Sequence, residues 1–415
     1  MKNLVGNEII YLNSPNINVC YKVRIDFNFS NADYENAIIA VEHRHPILKY
    51  VVKTDHDGQR HYETNGGISI QYYTENETDW QKWYYETDNI PFVFEGDSLV
   101  KVAVIRGDGY SDIVFLGHHI LGDGIGYLNL VRDFLYALDG KIDNEVLEIP
   151  QNNHLKKKNG GFLLKLFAGS LNKRWNKSKK IFSNSEYKTF FAKYREQNPT
   201  GIYLAETEKE FLPKLKADCK ARGVTVNEAI LTAFVRSIQL QNEGKSIRVG
   251  CAASIRNEFE IPTPKHMGNY VTGISIDVEN AENVPVKLRE KFNNPKKRYL
   301  VIHFLDKVEK SLVESVMYAG YGDYENPVSK KLAEQLHEQH GKSFGVSNLG
   351  VQSFDDFSFN VSDVWFVNPA FPQNFLTIGL ITVNGIMKFC LRYSGMNETQ
   401  IANIYNKFKW TVAKP

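Results

Sequence analysis

Two adjacent histidines, His118 and His119, lie in the stretch GHHILGDGIG, in which Asp123 and Gly124 follow after three further residues. The pair comes directly after the apolar run 113–116, so it lies at the end of a predicted buried strand. An imidazole titrates near neutral pH and can accept a proton from an attacking hydroxyl, amine or thiol. The stretch holds no Ser, Cys or Lys that could form a covalent intermediate, which favours direct transfer over a two-step route.

Other interpretations of these histidines compete with catalysis. A metal site would need a third ligand and usually a helical pair such as HExxH, and a phosphate-binding loop would need a Gly-rich run with Lys. The stretch matches neither pattern, and we expect no metal. Histidines held in the core by ordinary hydrogen bonds are the stronger competitor, because the His-x-x-x-Asp spacing alone is common by chance.

The flanking sequence predicts the elements that position the motif. Strands over 98–106 and 112–119 are joined by a Gly-Asp-Gly turn, which is typical of a hairpin. A helix over 126–138 follows and ends at an Asp-Gly pair. Gly122 and Gly124 permit a tight turn between strand and helix. Such a turn places a side chain at the edge of the sheet, beside the free backbone N–H groups of a helix start.

Length and composition limit the classes of protein. A chain of 415 residues suits two domains, each with its own core. The formal net charge of +2 implies no global attraction to nucleic acid, so we expect no nucleic-acid partner. No apolar run approaches the roughly 20 residues of a membrane span, and no signal peptide is visible, so we expect a cytoplasmic protein without a transmembrane segment. Four widely spaced cysteines without a CxxC pair indicate small buried side chains in a reducing compartment.

Both halves of the chain show a mixture of strands and helices. We predict an N-terminal lobe over residues 1–150 that carries HHILGDG, a basic crossover linker over 151–198 and a C-terminal lobe over 199–415. The fold class is α/β with mixed sheets.

Two capping signals set helix starts in these lobes. Ser30 with Asp33 predicts the start of a helix that ends near Arg44, since the residue after Arg44 precedes a proline. Thr225 with Glu228 forms a capping box before an amphipathic helix.

The crossover segment is strongly basic. Residues 151–185 contain no Asp or Glu. A charge run of this kind usually forms a solvated face, here of a linker with a short helix at GGFLLKLFAGSL. Attraction to an anionic partner, either an acidic carrier protein or the phosphates of a nucleotide cofactor, and weak adhesion to a membrane are the alternatives.

The HHILGDG stretch resembles the HHxxxDG signature of the chloramphenicol-acetyltransferase-like superfamily. This superfamily includes the condensation domains of nonribosomal peptide synthetases, plant BAHD acyltransferases, mycobacterial polyketide-associated acyltransferases and microbial alcohol acetyltransferases. Five further segments resemble the superfamily in the same order along the chain: HRHPILKY (43–50), PFVFEGDSLVKVAVIR (91–106), GVTVNEAILTAF (223–234), ASIRNEF with MGNYVT (253–272) and FGVSNLG (344–350). The DFGWG motif of the plant enzymes is absent, which favours the stand-alone microbial branch.

The resemblance implies two similar lobes with a tunnel between them. His119 would lie midway along the tunnel and act as general base on the acceptor, which attacks a thioester carbonyl. Asp123 would pair with an arginine, here Arg256, and hold the loop in shape. His118 would be an orienting or packing residue, and Gly124 would permit close backbone approach to the reacting centre.

The tetrahedral intermediate of such a reaction needs hydrogen-bond donors for its oxyanion. Candidates are backbone N–H groups near Gly124 and the side chains of Ser347 and Asn348. These two residues lie in FGVSNLG, where Ser-Asn before Leu-Gly also suits an ordinary strand end.

Three functions follow, and the resemblance favours the first. It is an acyltransferase that moves an acyl group from a thioester to a hydroxyl or amine of a small molecule. The second is a stand-alone condensation enzyme that joins carrier-bound substrates, and the third is a non-catalytic scaffold of the same fold. No permanently bound cofactor is expected, the co-substrate being acyl-CoA or the phosphopantetheine thioester of an acyl carrier protein. We expect a monomer.

Overall fold

The structure is a computed structural model. It describes residues 2–4, 6–15, 17–55, 60–96, 98–147, 161–241, 246–259, 263–293, 303–320, 324–340, 343–370 and 374–413.

Helices and strands are interspersed along the chain, and the following are the α-helices and strands whose full bounds the structure describes. The helices are α1 (Gly6–Leu12), α2 (Asn31–Arg44), α3 (Trp80–Asp88), α4 (Gly124–Leu138), α5 (Phe162–Trp175), α6 (Asn184–Gln197), α7 (Phe211–Arg222), α8 (Val226–Gln239), α9 (Val284–Phe292), α10 (Lys310–Gly320), α11 (Pro327–His340) and α12 (Glu398–Ala413). The strands are β1 (Lys2–Asn3), β2 (Asn18–Ile25), β3 (Tyr50–Thr54), β4 (Arg60–Thr64), β5 (Ile68–Thr74), β6 (Val100–Arg106), β7 (Ser111–His118), β8 (Thr200–Glu206), β9 (Ile247–Ser254), β10 (Val271–Val278), β11 (Ser343–Val351), β12 (Val361–Val367), β13 (Asn374–Val383) and β14 (Ile386–Ser394). The α/β fold with mixed sheets is thereby confirmed.

A five-stranded sheet in the order β12-β2-β7-β6-β5 carries the motif. The pairs β2–β7 and β6–β7 are antiparallel, so the predicted hairpin is present, whereas β5 runs parallel to β6. Strand β12 comes from the C-terminal part of the chain and pairs antiparallel with β2. The two halves of the sequence therefore share one sheet. A separate three-stranded sheet has the order β1-β4-β3.

The C-terminal part forms a six-stranded sheet in the order β10-β9-β11-β13-β14-β8. Strand β11 runs parallel to both of its neighbours, β9 and β13. Helices α7, α8, α9 and α12 contribute side chains to the core on this sheet. The helix α8 begins at the predicted capping box, in which Thr225 and Glu228 bond to each other's backbone N–H.

The central strand β7 of the five-stranded sheet is covered on both faces. Every residue of β7 is buried, because one face packs under α2 and α4 and the other contacts α3 and strands β8 and β14 of the six-stranded sheet. Strands that are covered on both sides read as continuous apolar runs rather than alternating ones. This burial explains the apolar run that precedes the histidines.

Residues 161–197, which the sequence suggested as part of a linker, form α5 and α6. Both helices contribute to the core beneath the five-stranded sheet, with buried Ala168, Leu171, Trp175, Phe190 and others. The predicted boundaries at 150 and 198 stay a prediction, and residues 148–160, with Lys156–Lys158, lie outside the described residues. In the described ranges no helix is both long and apolar enough to cross a membrane.

Candidate active site

His119 lies in the short connection between β7 and α4. Strand β7 ends at His118 and helix α4 begins at Gly124, two residues earlier than the sequence indicated, because the Asp123 side chain caps the helix by accepting the Gly126 N–H. The turn is closed by the N–H of Gly122, which donates to His119 O at 3.2 Å. His119 is buried and keeps only 4% of its surface exposed.

Asn269 fixes the tautomer of His119. The Nδ2 of Asn269 donates to Ile120 O at 3.0 Å, so the amide oxygen must face the imidazole. His119 Nδ1 lies 2.8 Å from that oxygen and therefore carries the ring proton. The neutral ring then presents Nε2 as an unprotonated acceptor, which is the state a general base requires.

Burial keeps this imidazole neutral. Desolvation is the largest influence and lowers the pKa of His119, while its own backbone carbonyl, Asp123 and Asn269 act in the opposite direction without cancelling the effect. The ring also stacks on Tyr11 of α1, with ring centroids 4.2 Å apart and planes 20° apart. The stacking and the Asn269 bond together restrict rotation of the imidazole.

Asp123 connects the motif to the second half of the chain. Its Oδ1 accepts hydrogen bonds from Arg256 Nη2 at 2.7 Å and from Gly126 N at 2.8 Å. Its Oδ2 accepts from Tyr270 N at 2.9 Å. Both carboxylate oxygens are occupied by structural donors, and both partners of the ion pair are buried. This arrangement suits a residue that holds the loop in shape.

His118 has a different environment from His119. Its ring makes edge-to-face contacts with Phe92 and Phe94, and its Nδ1 accepts the Ile120 N–H at 3.2 Å. Burial and the neighbouring His119 lower the pKa of His118 to about 3. This environment is that of a neutral imidazole packed in the core.

Gly124 lies in a crowded position at the start of α4. A Cβ there would lie 3.2 Å from Phe366 Cζ and 3.4 Å from Leu349 Cδ2, and its carbonyl accepts from Tyr21 Oη at 2.6 Å. Glycine thus allows β11 and β12 to approach the helix start closely.

Strand β11 carries both side-chain candidates for the oxyanion, Ser347 and Asn348. Ser347 is half-buried and lies two residues before Leu349, one of the two residues that a Cβ at Gly124 would meet. Asn348 is exposed and uses its Oδ1 to accept the Gly350 N–H.

Sequence reasoning gave no role to Asn269 or Tyr11. Asn269 lies in the MGNYVT segment that carries the resemblance, but its contact with His119 joins residues 150 positions apart and has no signal in the local sequence. Tyr11 had no signal in the sequence, because a tyrosine in a short helix usually contributes to a core.

Other reactive groups are poorly suited to chemistry. Burial raises the pKa of Cys20, Cys251 and Cys390, so these thiols do not supply a ready thiolate. Across the described ranges, no three His, Cys, Asp or Glu side chains come together as a metal-binding group.

Comparison with known proteins finds similar structures but no similar sequences. No model of a protein family matches the chain, and no curated protein matches it. The condensation domain of the Monacolin K polyketide synthase MokA is similar over 99% of this chain and 96% of its own, with a TM-score of 0.63 and 10% identity. Polyketide synthase associated protein 5 from Mycobacterium tuberculosis is similar over 100% and 98%, with a TM-score of 0.62 and 12% identity. TRI3 trichothecene 15-O-acetyltransferase from Fusarium sporotrichioides is similar over 99% and 94%, with a TM-score of 0.59 and 14% identity.

These likenesses extend over nearly the whole chain. The protein therefore shares its overall fold with a condensation domain, a polyketide synthase associated protein and an O-acetyltransferase. At sequence identities of 10–14%, the similarity shows the fold but not the reaction, which has to be inferred from the geometry of the site.

Proposed function

We propose that the protein transfers an acyl group from a thioester to a hydroxyl or amine of a small-molecule acceptor, with His119 as general base. The observation that carries this proposal is the hydrogen bond from His119 Nδ1 to Asn269, which leaves Nε2 free to accept a proton. Structural neighbours that include an O-acetyltransferase and condensation domains support the same class of reaction.

Proton transfer and bond formation proceed in one direct sequence. The acceptor gives its O–H or N–H proton to His119 Nε2 as its oxygen or nitrogen attacks the thioester carbonyl carbon. The tetrahedral intermediate then collapses, the C–S bond breaks, and the leaving sulfur takes the proton back from the imidazolium. The Nδ1–H bond to Asn269 persists throughout, so the ring keeps its orientation.

The oxyanion of the intermediate needs donors near the start of α4. Of the first three backbone N–H groups of that helix, Gly126 N is taken up by Asp123, which leaves those of Gly124 and Ile125 as candidates. Ser347 is the side-chain candidate from β11. Loss of one such donor in other acyl-transfer sites lowers kcat by about 100- to 1000-fold.

The acyl donor is acyl-CoA or an acyl group on the phosphopantetheine of a carrier protein. Both present the same thioester, so one mechanism serves both, and a condensation between carrier-bound partners would use the same His119. Similarity to a polyketide synthase associated protein and to nonribosomal peptide synthetases supports including carrier-bound donors in the test.

A product assay with a matched variant tests this proposal. The intact protein is incubated with acyl-CoA donors, or with the same acyl groups on a carrier, and with pooled amines and alcohols, and ester and amide products are identified by mass spectrometry. We expect His119→Ala to lower the rate by about 100- to 10,000-fold. His43→Ala is the control, since His43 is exposed on α2. Equal rates for His119→Ala and the control would contradict the general base, and no product with any donor would contradict acyl transfer.

A further inference from the structure

Helix α5 presents an unusual outer surface. Phe162, Leu163, Leu166 and Phe167 are 75%, 80%, 54% and 52% exposed. The other large exposed apolar side chains of the described residues are scattered along the chain. Single exposed apolar residues are normal, whereas four within six residues on one helix mark an interaction surface.

The exposed residues form one face of the helix. At 100° per residue, they lie within about 140° of arc, opposite the buried Ala168 and Leu171. The inner face is firmly attached to the core, where Trp175 Nε1 donates to Ser311 Oγ at 2.9 Å. The exposed side chains are therefore not displaced from a core position.

Basic side chains extend the same face of α5 toward its C-terminal end. Lys173 and Arg174 lie seven residues after Leu166 and Phe167, so they project from the same side two turns further along. Both are exposed, and neither forms an ion pair with any residue in the described ranges. Lys165 and Lys177 are likewise exposed and unpaired among those residues, whereas Lys179 and Lys180 pair with glutamates.

We propose that this α5 face, formed by Phe162, Leu163, Leu166, Phe167, Lys173 and Arg174, adsorbs to an anionic lipid surface. A helix with an apolar face and flanking cations, lying parallel to the surface, is the arrangement that inserts into the headgroup region of a membrane. The absence of acidic residues from 151 to 185 complements the negative surface potential.

Two other occupants fit less well. Residues 151–160 precede α5, but their sequence QNNHLKKKNG offers one large apolar side chain and three lysines, so it adds charge rather than an apolar cover. A second copy of the chain would bring the cations of two α5 faces together, which is unfavourable.

Vesicle co-sedimentation of the full chain tests the proposal. We expect binding to phosphatidylcholine vesicles that contain about 30% phosphatidylglycerol, and much weaker binding to phosphatidylcholine alone or at about 0.5 M salt. Lys173→Glu/Arg174→Glu should weaken the partition at least about tenfold, since each cation near the surface contributes about fivefold. Lys214→Glu/Lys216→Glu on α7 carries the same charge change on another surface and should bind nearly as well as the unaltered protein.

The apolar contribution is tested separately. Leu163→Ser/Leu166→Ser should also weaken the partition by about tenfold or more, because both side chains leave water on adsorption. Leu240→Ser/Val286→Ser is the control, as these residues are 61% and 58% exposed elsewhere. Absence of vesicle binding, equal binding to neutral and anionic vesicles, or equal effects of face and control variants would overturn the proposal. Dimerisation that only the face variants abolish, without vesicle binding, would assign the surface to a second copy instead.

Discussion

His119 and His118 are adjacent in sequence, but their Nδ1 atoms have opposite hydrogen-bonding roles, as donor in His119 and as acceptor in His118. His119 donates from Nδ1 to Asn269, which leaves Nε2 as the acceptor. His118 uses Nδ1 as an acceptor for a backbone N–H and makes edge-to-face contacts with two phenylalanine rings. An amide oxygen holds the His119 proton without adding a negative charge, so the imidazole keeps the lowered pKa that burial gives it.

Variants of Asn269 test this assignment through the pH dependence of kcat/KM. In the unaltered protein we expect activity to fall only as the pH drops below the lowered pKa of His119, because the base must be neutral. Asn269→Asp places a carboxylate beside the ring, favours the imidazolium and should move this acid limb to higher pH. Asn269→Ala removes the acceptor and should lower kcat by up to about 100-fold without an upward move of the limb.

The control for these variants is Asn280→Asp, since Asn280 is the exposed N-cap of a short 3-10 helix (Ala281–Asn283) and aspartate caps equally well. A pH profile of Asn269→Asp that coincides with that of the control would contradict the assigned tautomer. A purely structural role of Asn269 would change stability without moving the acid limb.

The β7–α4 connection owes its shape to contacts from outside the motif. Asp123 caps α4 and pairs with Arg256, whose Nη1 also donates to His266 O at 2.8 Å. At the other end of the connection, a Cβ at Gly117 would overlap the ring of Tyr127, whose hydroxyl donates to His118 O. Strand end and helix start are therefore locked to each other and to the C-terminal half.

Removal of one charge from the Asp123–Arg256 pair should be costly. Asn is an equally good helix cap, so Asp123→Asn keeps the cap and leaves the Arg256 charge buried without its partner. We expect the free energy of unfolding, measured with urea, to fall by about 3–5 kcal/mol. Asp123→Asn/Arg256→Gln removes both charges and should cost less than the sum of the two single variants.

Asp33→Asn is the matched control, because Asp33 belongs to an exposed capping box and should affect stability little. An Asp123→Asn protein as stable as the control would refute the structural role of the pair. Additive effects in the double variant would show that the two side chains do not interact.

At the scale of the whole molecule, a second buried charge cluster joins distant elements. Asp88 at the end of α3 accepts hydrogen bonds from Asn18 of β2, Arg195 of α6 and Arg392 of β14. Burial alone would raise the pKa of Asp88, but Arg392, Arg195 and the Asn18 amide bring it below its ordinary value. One carboxylate thus connects β2 of the five-stranded sheet, through the Asn18 amide, with β14 of the six-stranded sheet, through Arg392, and with α6, through Arg195.

This cluster predicts acid sensitivity. Because the pKa of Asp88 is lowered in the folded protein, its stabilisation is present above the unfolded value of about 3.9 and is lost as the pH falls through the folded value. Asp88→Asn leaves two buried cations without their carboxylate and should reduce the free energy of unfolding at pH 7 by about 3–5 kcal/mol. The variant should also lose less stability than the unaltered protein between pH 5 and pH 3.

Asp277→Asn provides the comparison, because Asp277 pairs with Arg248 at an exposed position and should contribute at most about 1 kcal/mol. Urea unfolding of both variants from pH 3 to pH 7 measures the difference. Equal effects of Asp88→Asn and Asp277→Asn would show that the buried cluster does not join the sheets.

Local signals in the sequence were enough for many elements. Contacts within a few residues determine the capping boxes at Ser30 and Thr225, the hairpin before the motif and the end of α2 at Arg44. The structure confirms all of these at the predicted positions. The mixed α/β fold was also predictable, because alternation and helical periodicity are local properties.

Contacts between distant segments could not be derived from those local signals. Strand β12 joins β2 across more than 300 residues, and α5 and α6 enter a core although their sequence looked like a basic linker. Such placements depend on which surfaces of the folded chain are complementary in shape and polarity. The basic residues of the segment indicate only that one side of its helices is exposed to solvent, and they do not reveal that the other side is buried.

The sequence by itself determined that a histidine capable of general base chemistry follows a buried strand and precedes a helix. Only the tertiary structure decided which nitrogen of His119 carries the proton, because Asn269 and His119 are 150 residues apart in sequence and 2.8 Å apart in space. A tautomer is set by hydrogen-bond partners, and those partners exist only once the two halves of the chain have folded together.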